Sequence, residues 1–115
     1  MASAIGRGRN SVRLRRYNER LLLQILRRGG EASKADLARR THLTSTAVGS
    51  IIQSLEQSDL IVFTGRTEGQ RGQPATLIDL NPKGAFGIGV RLDRDSIETA
   101  LLDFGGQILA RRVHD

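Results

Sequence analysis

The sequence of 115 residues has no cysteine, which excludes a disulfide framework. Histidine is nearly as scarce: His42 and His114 stand alone and far apart, too few for a metal centre, and no cofactor is expected in this chain. No apolar run approaches the roughly 20 residues needed to span a bilayer. The opening Met1 to Arg9 also lacks the apolar stretch of a secretory signal. A cytoplasmic protein without membrane contact is the expectation. The patterns that carry catalysis are missing as well, with no carboxylate pair, no nucleophile beside a base and no phosphate-cradling loop. Gly87-Ile88-Gly89 reads as closely packed strand rather than a nucleotide loop, because no helix pattern with a free N-terminus follows it. An enzyme is not expected.

What is present is positive charge, unevenly spread. The formal net charge is +6, but residues 1 to 42 hold eleven Lys or Arg against three Asp or Glu, a net of +8. Residues 43 to 115 hold seven against nine, a net of −2. A polyanionic partner is therefore expected at the N-terminal half.

Residues 33 to 64 read as two short helices joined by a tight turn and followed by a strand. Ser33 can cap the first with Asp36 three residues on, and Leu37 and Ala38 face inward. Thr44 can cap the second, whose inward residues would be Val48, Ile51, Ile52 and Leu55. Its outward face is then Ser45, Thr46, Ala47, Gly49, Ser50 and Gln53, small or polar residues that would let the helix sit deep in a major groove. No charged residue stands between Arg40 and Glu56, so the arginine-to-guanine fork is lacking; Gln53 is the side chain suited to a bidentate contact, with adenine preferred. Lys34 and Arg39 would hold phosphates and set register. Taken alone these side chains also describe a solvated helix face, and winged helices can serve as protein-interaction or RNA-binding modules, which is the alternative reading. The preceding helix and the charge asymmetry favour DNA.

Upstream, residues 1 to 10 are rich in Gly and Arg and read as a flexible basic arm. A helix is expected from Ser11, with Leu14, Tyr17, Leu21 and Ile25 as its inward stripe, Leu22 and Leu26 widening it, and Gly29-Gly30 as the stop. Arg13, Arg16, Arg20, Arg27 and Arg28 fall largely off that stripe. Three helices would thus precede any strand. Leu60 to Thr64 and Ala75 to Leu80 flank the Gly-rich segment 65 to 74, the composition of a hairpin with a long flexible tip, and Arg66 and Arg71 on this wing are candidates for minor-groove or phosphate contact. After Asn81-Pro82-Lys83-Gly84 the character changes: residues 86 to 92, 96 to 103 and 107 to 113 read as an antiparallel meander with turns near Asp93-Arg94-Asp95 and at Gly105-Gly106. Such a piece has little to bury itself against and reads as the opening of a larger domain.

In this order the segments resemble the transcriptional repressors of the ROK group (repressors, open reading frames and sugar kinases). The resemblance rests on Asn18 within an Arg- and Leu-rich first helix, Ser33 to Leu43 and Thr44 to Leu60, Gly72-Gln73-Pro74 closing the wing and Leu80-Asn81-Pro82 as linker. It continues through Ile88-Gly89-Val90 and Leu102 to Leu109. It implies an α+β chain: a winged helix-turn-helix of three helices and a β-hairpin wing over residues 11–80, a linker over 81–85, and the first strands of an incomplete sugar-kinase-like domain over 86–115. It further implies a bacterial regulator that binds a double-stranded operator as a homodimer, with a sugar or sugar derivative as effector in the downstream domain. The family's zinc-binding cysteines and sugar-contacting Glu and His would lie beyond Asp115.

Departures from the family are informative. His42 and Asp59 stand where members tend to have Gly, at two positions that follow a helix and call for positive φ. Gln73 replaces a common Arg in the wing motif. Kinase members carry an Asp-x-Gly-Gly-Thr turn after the first strand of the sugar domain, whereas Arg91-Leu92-Asp93-Arg94-Asp95 stands here without glycine, which argues against phosphoryl transfer.

Overall fold

In the computed structural model, which describes residues 2–68 and 74–115, the chain runs α1 (Ala2–Gly29), β1 (Ala32–Ser33), α2 (Lys34–Thr41), α3 (Ser45–Gln57), β2 (Ile61–Glu68), β3 (Pro74–Leu80), β4 (Phe86–Leu92), β5 (Ile97–Asp103) and β6 (Ile108–His114). Two three-stranded antiparallel sheets result, ordered β1-β3-β2 and β4-β5-β6. The first belongs to the winged helix-turn-helix and the second is the expected meander.

The helix-turn-helix forms where local chemistry dictates. Ser33 accepts from the backbone N–H of Asp36 and Asp36 accepts in return from that of Ser33, a capping box that starts α2. The Thr44 hydroxyl accepts from the Ala47 N–H and starts α3. All three helices end in a left-handed residue: Gly30 at φ 78°, His42 at φ 60° and Asp59 at φ 59°. After α3 the Leu60 N–H reaches Leu55 O and the Asp59 N–H reaches Glu56 O, the two bonds of a Schellman ending, with Leu55 and Leu60 both packed in the core. The two departures from glycine therefore sit at the positive-φ positions expected of them.

The core gathers Leu22 and Leu26 of α1, Ala32, Leu37, Val48, Ile51, Ile52, Leu55, Ile61, Ile78 and Leu80. Every inward residue expected of α3 is in it. Each large aliphatic side chain buried here contributes about 1.5–3 kcal/mol, so the helices owe their stability to this shared face rather than to propensity.

Several expectations fail. The helix read as starting near Ser11 begins at Ala2, within the segment expected to be an arm. Gly6 and Gly8 each cost a helix only about 1 kcal/mol, and no proline stops propagation. Leu14 and Tyr17, read as inward, are 60% and 63% exposed, with Val12 beside them at 52%. The core reaches only as far along α1 as Leu22 and Leu26 with their neighbours, so the apolar stripe outruns the surface available to cover it. A two-residue strand, β1, precedes α2 and pairs Ala32 with Ile78 and Ser33 with Leu77, so strand does come before the second helix. β2 continues through Gly65 to Glu68, where a flexible tip was expected. A bulge after Phe63 is followed by resumed pairing with β3, since main-chain bonding requires no apolar side chain. The rest of the expected tip, including Arg71, Gly72 and Gln73, lies outside the described residues.

The linker is tightly built. Asn81 donates from Nδ2 to Asp59 O at 2.8 Å and accepts the Lys83 and Gly84 N–H groups, on Oδ1 and its main-chain oxygen. A Cβ on Gly84 would collide with the Asp59 carbonyl, so this position admits glycine alone without movement. The radius of gyration, 18.2 Å, exceeds the roughly 13 Å of a compact domain of this length. A projecting helix and a separate sheet account for the excess.

His42 tests the turn. Replacing it by Gly is expected to raise stability by up to about 1 kcal/mol, less the part lost to the looser unfolded chain, while His42→Val lowers it because β-branching tolerates positive φ poorly. Denaturant midpoints of the two variants decide it; a destabilised Gly variant beside a neutral Val variant would contradict the observed geometry.

Candidate nucleic-acid interface

The exposed face of α3 is assembled by helical spacing alone. Ser45, Thr46, Ser50 and Gln53 are exposed, while Ala47 and Gly49 are half-buried. The first turn of α3 contains no acidic residue, so the positive end of its dipole is left uncompensated by a carboxylate of its own. Nothing in the fold requires glycine at Gly49. Its φ is not positive, and a Cβ built there meets no atom within 4 Å. Glycine in a helix interior is unfavourable by roughly 0.5–1 kcal/mol relative to Ala, a cost without intramolecular return. A partner whose surface approaches the helix axis closely would use the missing side chain.

The expected cations are distributed unevenly. Lys34, at the start of α2, and Arg66, on β2 beyond the bulge, line one shallow groove with Phe63, Gly65 and Thr76. Two positive side chains are thus brought to the base of the wing. Arg39 is 73% exposed and ion-paired with Asp36 on its own helix, which leaves its charge partly answered within the protein.

Two arginines on α1 take positions that the sequence reading did not assign. Arg15 donates from Nη1 to Ser50 Oγ and from Nη2 to Ser50 O, each at 3.3 Å, so α1 reaches across to the exposed face of α3. Ser50 is consequently not an unencumbered reader of base edges. Near the C-terminus of α1, Arg27 Nη2 donates to Phe104 O at 2.7 Å and its guanidinium lies 5.6 Å from the centre of the Phe104 ring. Phe104 packs against the winged-helix core and donates its N–H to Pro82 O at 3.1 Å. The turn between β5 and β6 is thereby fastened to the winged helix-turn-helix. A basic residue off an apolar stripe carries no local signal of which distant element it will meet, so neither contact could be read from spacing.

Other classes of site are poorly supplied. Among the described residues no group of three or more His, Cys, Asp or Glu stands together, and no helix is long and apolar enough to cross a membrane.

Residues 20–72 match the MarR family. The chain is 26% identical over 101 residues to a xylose repressor of Bacillus spizizenii, covering 88% of this chain and 26% of that protein. It is 24% identical over 96 residues to a xylose repressor of Bacillus subtilis, covering 84% and 25%. An uncharacterized protein of Sinorhizobium fredii is 28% identical over 95 residues, covering 83% and 24%. The chain thus spans about a quarter of the length of these relatives. Among solved structures, a ROK family transcriptional regulator described as a homologue of the E. coli MLC protein superposes with a TM-score of 0.67 at 25% identity, covering 89% of this chain and 26% of that one. The winged-helix segment is therefore similar to the MarR family, and the chain as a whole is similar to the ROK-family transcriptional regulators.

Proposed function

We propose that this chain is the operator-binding part of a bacterial transcriptional repressor that acts as a homodimer in the cytoplasm and is released by a sugar-type effector. The observation that carries the DNA reading is Gly49. A glycine that the fold does not need, half-buried among the exposed residues of a helix with no acidic residue in its first turn, suits a surface that must come close to a polyanion. Lys34 and Arg66 at the wing base and the net +8 on residues 1 to 42 supply the sequence-independent attraction. Gln53 is the side chain proposed to read a base, preferring adenine, and Arg39 and Arg71 are proposed as further phosphate contacts.

The sugar effector is proposed from the xylose repressors named above. It would bind a domain of which β4, β5 and β6 are the first strands. That part of the proposal draws support from the sheet itself: Phe86, Ile88, Val90 and Leu92 are 58–75% exposed. An apolar row of this kind is the face of a sheet that further structure covers.

Titration of fluorescently labelled duplex is the primary test. Binding should weaken steeply with salt, the log-log slope steepening by about 0.9 for each phosphate held. A slope near zero, or equal affinity for an acidic protein surface, would reject the DNA reading in favour of a protein-interaction module.

Gly49→Ala separates fold from function. The variant should melt several degrees higher, since about 1 kcal/mol shifts Tm by roughly 4–8 °C in a small domain, and yet bind duplex more weakly. Unchanged affinity would mean that no partner approaches at Gly49. Gln53→Ala should cost about 1–3 kcal/mol on an operator selected from a random library and little on mixed-sequence duplex; equal losses on both would remove Gln53 from base reading.

A further inference from the structure

The sequence leaves the exposed face of α3 without a cation between Arg40 and Glu56. The fold supplies one from elsewhere. Arg15 crosses from α1, places Nη1 on Ser50 Oγ and Nη2 on Ser50 O, and is steadied by Glu19, whose Oε1 lies 3.4 Å from Nε. Its side chain remains 47% exposed. A guanidinium has five N–H donors. One on Nη1 and one on Nη2 are directed to Ser50, and the second hydrogen on each of these nitrogens remains for a ligand. On α3, Ser50 lies four residues after Thr46 and three before Gln53, so the cation stands one turn from each along the same face.

We propose that Arg15 is a phosphate-binding residue of the DNA interface, and that Ser50 and Glu19 are the positioning residues that hold its guanidinium against α3. This rests on the DNA reading given above. A purely structural role accounts poorly for the arrangement. Exposed ion pairs and long hydrogen bonds add little to stability, and immobilising an arginine side chain costs rotamer freedom of similar size. Preorganisation is the better use: a planar fork already fixed beside the reading helix loses less freedom when it meets a phosphate. Ser50 then serves through Arg15 rather than by touching a base, and the α3 face gains the charge that its own residues lack.

The test compares the whole chain with Arg15→Ala, Arg15→Lys and Ser50→Ala, titrating fluorescent mixed-sequence duplex over a range of salt, well below the melting point of each protein. Arg15→Ala should bind on the order of tenfold more weakly near 0.1 M salt and lower the magnitude of the log-log slope by about 0.9. Arg15→Lys should keep the slope and lose part of the affinity, because a point charge replaces a fork. Ser50→Ala should also keep the slope while weakening binding. If Arg15→Ala shifts only the melting temperature and leaves slope and affinity unchanged, Arg15 is an interhelical tie and the proposal is overturned. If the unaltered chain itself binds no duplex, the DNA reading fails and the role of Arg15 fails with it, a result readily told apart from the first.

Discussion

The orientation of α3 depends on a three-residue turn, Thr41-His42-Leu43. Thr41 is buried, and its hydroxyl donates to Leu37 O at 2.7 Å while accepting the Leu43 N–H at 3.3 Å. One side chain thus ends α2 and fixes the direction in which the chain leaves it. His42 then takes the left-handed conformation that reverses the path, and Thr44 caps the next helix. A hydroxyl in an apolar core must be satisfied or it destabilises. The Thr41 bond to Leu37 lies within α2, whereas the Leu43 N–H reaches this hydroxyl only if the turn has this shape, so one buried hydroxyl ties the end of the helix to the path of the turn.

α1 is the second organising element. Leu22 and Leu26 anchor its C-terminal third in the core, Arg15 touches α3 from the middle of the helix, and Arg27 grips Phe104 near its C-terminus. The twelve residue steps from Arg15 to Arg27 span about 18 Å of helix at 1.5 Å per residue. A single rigid rod therefore contacts both the candidate interface and the sheet of β4, β5 and β6. The Asn81 turn fastens that sheet from below by a separate set of bonds to Asp59 and Leu60. With Gly84 packed on the Asp59 carbonyl, little freedom is left at the junction.

The two sheets differ in how their side chains are used. In the wing, Ile61, Ile78 and Leu80 face α1 and α3 and are buried. In the second sheet every residue of β4 and β6 is exposed, and surface ion pairs of Glu98 with Arg91 and Arg111 decorate one face without contributing much stability. Main-chain pairing is complete along β4 and β5, from Phe86 with Asp103 to Leu92 with Ile97, yet the apolar row of β4 is left uncovered. Among the described residues, the sheet is held to the rest at Phe104, through Arg27 and Pro82, and by the Asn81 turn.

What the sequence determined by itself is what depends on neighbours three or four residues away. The capping box at Ser33 and Asp36, the cap at Thr44, the four buried residues of α3, the left-handed His42 and the order of the meander were all legible, because each is settled by local hydrogen bonding or by the 3.6- and 2-residue periods, while the left-handed Asp59 was legible from the resemblance to a family that tends to carry glycine there. The candidate face of α3 was legible for the same reason, as the complement of its buried stripe. Tertiary structure alone decided how far the core reaches along α1, leaving Leu14 and Tyr17 exposed, and it paired Ala32 with Ile78 across a long loop of sequence. It also brought Arg15 to Ser50 and Arg27 to Phe104. A long basic side chain is compatible with solvent on any helix face, and which distant group it meets follows from how whole elements pack, a property that no local spacing encodes.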